Sequence, residues 1–111
     1  MEIRIDSRNV TLTPRWKAEI EARVAALTRG HSDLLHARVT VTKNQHHKKL
    51  ANGAEVLVVL TFPRRRTITA RKRDETLEEA IRSAFAAAEI EVQKFRDKRN
   101  SREVGTSYAD V

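Results

Sequence analysis

Ala54-Glu55-Val56-Leu57-Val58-Val59-Leu60-Thr61-Phe62 decides the fold. Its three valines and two leucines favour a strand. Because Leu57 and Val59 fall between the other apolar residues, the strand reads as buried on much of both faces. Such a strand belongs in the middle of a sheet. Pro63-Arg64-Arg65 makes the turn that follows. Residues 66–72 then alternate, with Ile68 and Ala70 inward and Thr67, Thr69 and Arg71 outward. Upstream, residues 36–43 alternate too, with Val39 and Val41 inward and Arg38, Thr40 and Thr42 outward. A polar loop, residues 43–53, joins the two. Three consecutive strands of this kind pair as a meander.

The pattern changes period on either side of the meander. Asp74 to Arg99 is one amphipathic helix, with Leu77, Ile81, Ala84, Ala88, Val92 and Phe95 on its inner stripe. Thr76 and Glu79 have the capping-box spacing at its start. Near the N-terminus, Thr13 caps a helix with Pro14 at its first position, where the missing N–H costs nothing. Trp16, Ile20, Val24 and Leu27 form that helix's inner face, which favours core packing over base stacking for Trp16, and Gly30 is its stop. Residues 2–6 alternate as an opening strand with Ile3 and Ile5 inward. Periodicity ends at Asn100. The expected division is therefore a binding domain, 1–99, and an unstructured tail, 100–111. The order β-α-β-β-β-α gives an α+β two-layer sandwich, a four-stranded sheet with both helices on one face. This layout is shared with double-stranded-RNA-binding domains. The other sheet face is expected to be open and polar.

Composition narrows the function. Among 111 residues, 22 Lys and Arg against 15 Asp and Glu leave a net charge of +7. That balance favours a polyanionic partner. There is no cysteine, which removes disulfides and thiolate chemistry and fits a reducing cytoplasm. No apolar run reaches the roughly 18 residues of a membrane span. The alternating, acid-bearing N-terminus is not a signal peptide, so a cytoplasmic protein without membrane attachment is expected.

The candidate RNA-binding residues are cations: Lys43, Arg64, Arg65, Arg66, Arg71, Lys72, Arg73, Lys94, Arg96, Lys98 and Arg99. Three groups of them are expected to converge on one phosphate-binding surface. Catalytic chemistry has no comparable candidate. His46-His47 are adjacent on a loop and lack a completing carboxylate or thiolate, so no metal site is expected. Glu78-Glu79 lie on a charged helix face, and no glycine-rich phosphate loop or serine elbow is present. The expectation is a monomeric binding module, with no cofactor and no small-molecule substrate.

The opening Ile3-x-Ile5-x-Ser7-x-Asn9-x-x-Leu12-Thr13, the internal Glu79-Ala80-Ile81 and the closing Lys94-x-Arg96-Asp97-Lys98, in this order of elements, resemble the bacterial ribosome hibernation factors. That family includes the hibernation promoting factor and the ribosome-associated inhibitor, and some members were first named as modulators of an alternative sigma factor. The resemblance implies a protein that binds the 16S ribosomal RNA of the small subunit and blocks the mRNA and tRNA path under stress or in stationary phase. It adds Lys17 and Arg23 on the first helix to the expected contacts and matches Lys43 at the end of the second strand. Departures are Ala26 and Ala87 where members often carry lysine, and Arg71-Lys72-Arg73 where they carry serine and acids. These suggest RNA contacts shifted toward the fourth strand and its turns. Two alternatives stand beside this reading: a general structured-RNA-binding domain, and a module for an acidic protein partner such as a transcription factor.

Overall fold

A computed structural model describes residues 2–43 and 53–109, with side chains described as far as Asp97. Its elements are β1 (Glu2–Arg8), α1 (Pro14–Gly30), β2 (His36–Lys43), β3 (Ala54–Phe62), β4 (Arg66–Asp74) and α2 (Leu77–Ala109). The sheet runs β1-β2-β3-β4. β1 is parallel to β2, while β2–β3 and β3–β4 are antiparallel. The sheet is therefore mixed, with α1 as the crossover between its parallel pair.

One face of the sheet carries the core. Val39, Val41, Val56, Val58 and Leu60 are fully buried there, with Phe62 at its end. Ile20, Val24 and Leu27 of α1 close over it, as do Ala80, Ile81, Ala84, Phe85, Ala88 and Val92 of α2. Both helices thus lie on the same face. Three alanines at the centre of the α2 stripe let its axis approach the sheet closely. Ala80 and Phe85 extend the stripe beyond the residues that spacing alone picks out.

β3 differs from expectation in one respect. Its inner residues are buried, but Glu55, Leu57, Val59 and Thr61 on the other side are only half-buried. Among the described residues no layer covers that face, and Leu57 and Val59 are shielded there only by neighbouring strands. β1 is an edge strand, and Ile3 is 37% exposed there while Ile5 is half-buried against the core. Trp16 packs half-buried against the core.

The helix ends follow local chemistry. Thr13 Oγ1 accepts from the Trp16 N–H at 3.3 Å, with Pro14 at the first helical position. α1 stops at Gly30 without a left-handed residue; instead the His31 N–H bonds back to the carbonyls of Leu27 and Thr28. Thr76 Oγ1 accepts from the Glu79 N–H at 3.2 Å. The far end of α2 departs from the expected stop at Arg99, since the helix runs to Ala109. Residues 100–109 include one glycine, Gly105, and no proline. A lone glycine costs a helix only about 1 kcal/mol relative to alanine, too little to impose an end. The 44–52 loop, with His46, His47, Lys48 and Lys49, lies outside the described residues.

Candidate nucleic-acid interface

The candidate cations do not converge on one surface; the topology sends them to opposite ends of the sheet. β4 begins at Arg66 and ends at Asp74. At about 3.3 Å per residue, Arg66 and Arg73 are roughly 23 Å apart along the strand. Arg64, Arg65 and Arg66 sit at one end with the 94–97 turn of α2. Lys43, Lys72 and Arg73 sit at the other, where α1 also begins, because only residues 9–13 link β1 to α1. Lys17 lies near that second end.

The two ends differ in their acids. The second carries Asp74, Glu75, Glu78 and Glu79 around the start of α2, where carboxylates complement the helix dipole. The Asp74 side chain, by hydrogen bond and then by charge, holds the Glu79 carboxyl above its ordinary 4.5. These acids share the second end with Lys17, Lys43, Lys72 and Arg73, so opposite charges are mixed there. At the first end the nearby acids are already engaged: Asp33 with Arg96, Glu89 with His31, and Glu91 with Lys94 at 3.5 Å.

The first end is built around an arginine turn. With Phe62 opposite Arg66 in register, Pro63, Arg64 and Arg65 close the β3–β4 hairpin. Arg64 and Arg65 adopt φ of 66° and 59°. This left-handed backbone suits glycine or asparagine and costs an L-residue with a long side chain about 1–2 kcal/mol. Both side chains are exposed and unpaired among the described residues. Arg66 is held differently, its guanidinium 5.5 Å from the Phe95 ring centre. Phe95 in turn packs on Phe62, with centroids 5.8 Å apart. The arrangement fixes one face of the Arg66 fork and leaves the exposed side free for phosphate.

Arg96, expected among the phosphate contacts, is instead taken up inside the protein. Its Nε donates to His31 Nδ1 at 2.6 Å, and its Nη2 bonds Asp33 Oδ1. Its guanidinium also stacks on Phe62, 5.7 Å from the ring centre. With Nδ1 accepting, buried His31 directs Nε2 to Glu89 Oε1 at 3.1 Å. The network ties the end of α1 to α2. Its residues were missed because partners 58 to 65 positions apart share no local pattern.

Arg71 and Arg73 are also paired, both to Glu55, at 3.0 and 3.1 Å. Their side chains are half or more exposed, so these are loose surface pairs. Arg23 pairs with Glu19 at 3.2 Å, and its buried Nε has no partner among the described residues. Lys94 is 70% exposed on α2. The side chains of Lys98 and Arg99 lie outside the described residues. Among the described residues no cluster of three or more His, Cys, Asp or Glu could hold a metal, and no helix is long and apolar enough to cross a membrane.

A family model described as sigma 54 modulation protein / S30EA ribosomal protein matches residues 3–100. The chain belongs to this family. Membership places it among ribosome-associated modulation proteins. The S30EA fold recurs in two solved structures. A ribosomal subunit interface protein from Coxiella burnetii superposes with a TM-score of 0.75 at 15% identity, over 87% of this chain and 99% of that one. The N-terminal domain of Thermus thermophilus Protein Y gives 0.71 at 23% identity, over 86% of this chain and 99% of that one. No curated protein matches the sequence. At such identities the likeness carries the fold, and the S30EA chain's contacts must be argued from its own residues.

Proposed function

We propose that this S30EA protein is a cytoplasmic hibernation factor that binds the 16S ribosomal RNA of the small subunit and blocks the mRNA and tRNA path under stress or in stationary phase. The observation that carries the reading is the cationic end of the sandwich, where Arg64, Arg65 and Arg66 project from a strained hairpin beside exposed Lys94. Strain of this kind persists where the surrounding structure holds it for a purpose. The subunit-interface naming of the Coxiella relative supports the choice of partner.

The mechanism is occupancy. A rigid two-layer wedge, residues 1–99, sets fixed cations against RNA phosphates, releases counterions and excludes other ligands of the same groove. Lys17, Arg23, Lys43, Lys72, Arg71 and Arg73 contribute at the flanks, and Lys98 and Arg99 are assigned to the same RNA contact. No covalent step or cofactor is needed. Recognition rests on shape, phosphates and 2′-hydroxyls more than on base sequence.

Co-sedimentation with small subunits, empty or loaded with mRNA and tRNA, tests the proposal. The expected result is pelleting with empty subunits and exclusion from loaded ones. Equal pelleting with both would contradict blockade. Equal affinity for free duplex RNA would point to a general RNA-binding domain, and a complex that survives ribonuclease to an acidic protein partner.

A further inference from the structure

The open face of the sheet holds a second feature that the phosphate-binding end does not use. A cavity of about 430 Å³ lies across all four strands. Its floor is apolar: Leu57 and Val59 project outward from the middle of β3, half-buried and with no layer over them among the described residues. Thr40 and Thr42 flank that floor from β2. Its rim carries Arg8 from β1, Arg38 from β2 and Arg71 from β4, with Glu55 of β3 among them.

The charges do not cancel. Arg38 is satisfied by Asp6 at 3.1 Å, and Glu55 is shared by Arg71 and Arg73. Arg8 has no partner among the described residues. Three arginines and one engaged carboxylate thus line the cavity, which retains a positive field that selects an anion.

The volume falls within the usual range of small-ligand sites, roughly 300–1,000 Å³. A bare phosphate would have no use for the apolar floor. A nucleotide uses every part: its base lies on Leu57 and Val59 or against an arginine plane, the threonine hydroxyls meet polar edges, and Arg8 takes the phosphate. We propose that this cavity receives one unpaired nucleotide of the RNA that the protein binds. The inference rests on the RNA-binding reading and adds a base-holding site on the layer opposite the helices.

The test is a titration of the full methyl-labelled chain with pentauridylate at low salt, followed by NMR, with uridine monophosphate and inorganic phosphate as parallel probes. The expected result is a shift of the Leu57 and Val59 methyls by pentauridylate, with the monophosphate at least about tenfold weaker. Leu57→Thr, which keeps strand propensity, should weaken pentauridylate about tenfold while the rest of the spectrum is unchanged. Shifts confined to the 64–66 turn would overturn the inference. So would inorganic phosphate reproducing the Leu57 and Val59 shifts, or the monophosphate binding as tightly as the oligomer. Ribosome pelleting without these methyl shifts would overturn this site alone. The shifts without pelleting would leave the site standing and remove the ribosome as the partner.

Discussion

At the scale of single residues, Arg64 and Arg65 show a choice of charge over backbone comfort. A hairpin turn with positive φ is most easily made by glycine or asparagine, and here arginine stands at both such positions. Arg65→Gly should therefore stabilise the fold by up to about 1 kcal/mol, the relief of strain being partly offset by glycine's greater unfolded freedom. It should weaken ribosome binding at the same time. Urea denaturation and pelleting of one variant would show the two effects moving in opposite directions. Arg96 makes the contrary point. Arg96→Ala removes the hydrogen bonds to Asp33 and His31 and should cost about 2 kcal/mol, the range for hydrogen bonds to charged groups. Arg96→Lys should not restore it, because an ammonium cannot reproduce the two-pronged contact. Lys94→Ala should change stability by less than about 0.5 kcal/mol. Denaturant midpoints of the three variants would separate these roles. Spacing alone had grouped Arg96 with Lys94, since both are cations near one helix end. Only long-range packing turns one inward.

At the scale of elements, the order of the strands and the bounds of β2 and β3 were readable because alternation is a local property, while β1 and β4 each run two residues past the expected 2–6 and 66–72. Val39, Val41, Ile68 and Ala70 fall inward as their parity requires. The outer face of β3 was harder to read, because an apolar run does not reveal whether a second layer will cover it. Among the described residues Leu57 and Val59 have no such layer. The close fit of α2 to the sheet yields a prediction. Ala84 is fully buried, and Ala84→Leu should overpack the contact and cost about 1–3 kcal/mol in thermal or denaturant unfolding. The start of α2 also carries a pH dependence. Asp74 raises the Glu79 carboxyl above its ordinary 4.5, so the folded state binds that proton more tightly than the unfolded chain. This contribution favours folding at low pH and is lost as pH rises through the raised value. Glu79→Gln should flatten the stability curve just above pH 4.5, as urea midpoints across that window would report.

At the scale of the whole molecule, the charge is polarised. α2 begins among four carboxylates, which share their end with Lys17, Lys43, Lys72 and Arg73, and runs toward the arginine turn, where the cations stand beside acids that are already engaged. The net positive charge was evident from composition, but its division between two ends depends on strand order and direction, which counts of residues do not carry. A polarised wedge binds in one orientation. Its ribosome affinity should fall log-linearly with salt, and each phosphate-contacting cation removed should reduce the slope by about 0.7–1.

The central claim is that the arginine-turn end makes the ribosome contact. The direct measurement is co-sedimentation with small ribosomal subunits of the unaltered protein and of a variant carrying Arg64→Glu, Arg65→Glu and Lys94→Glu, with circular dichroism to confirm folding. Arg96 is left intact because its reversal would break the core-facing network. The account predicts that the unaltered protein pellets at low salt and is released as salt rises, while the folded variant stays in the supernatant. A folded variant that pellets as well as the unaltered protein, with the same salt dependence, would contradict it.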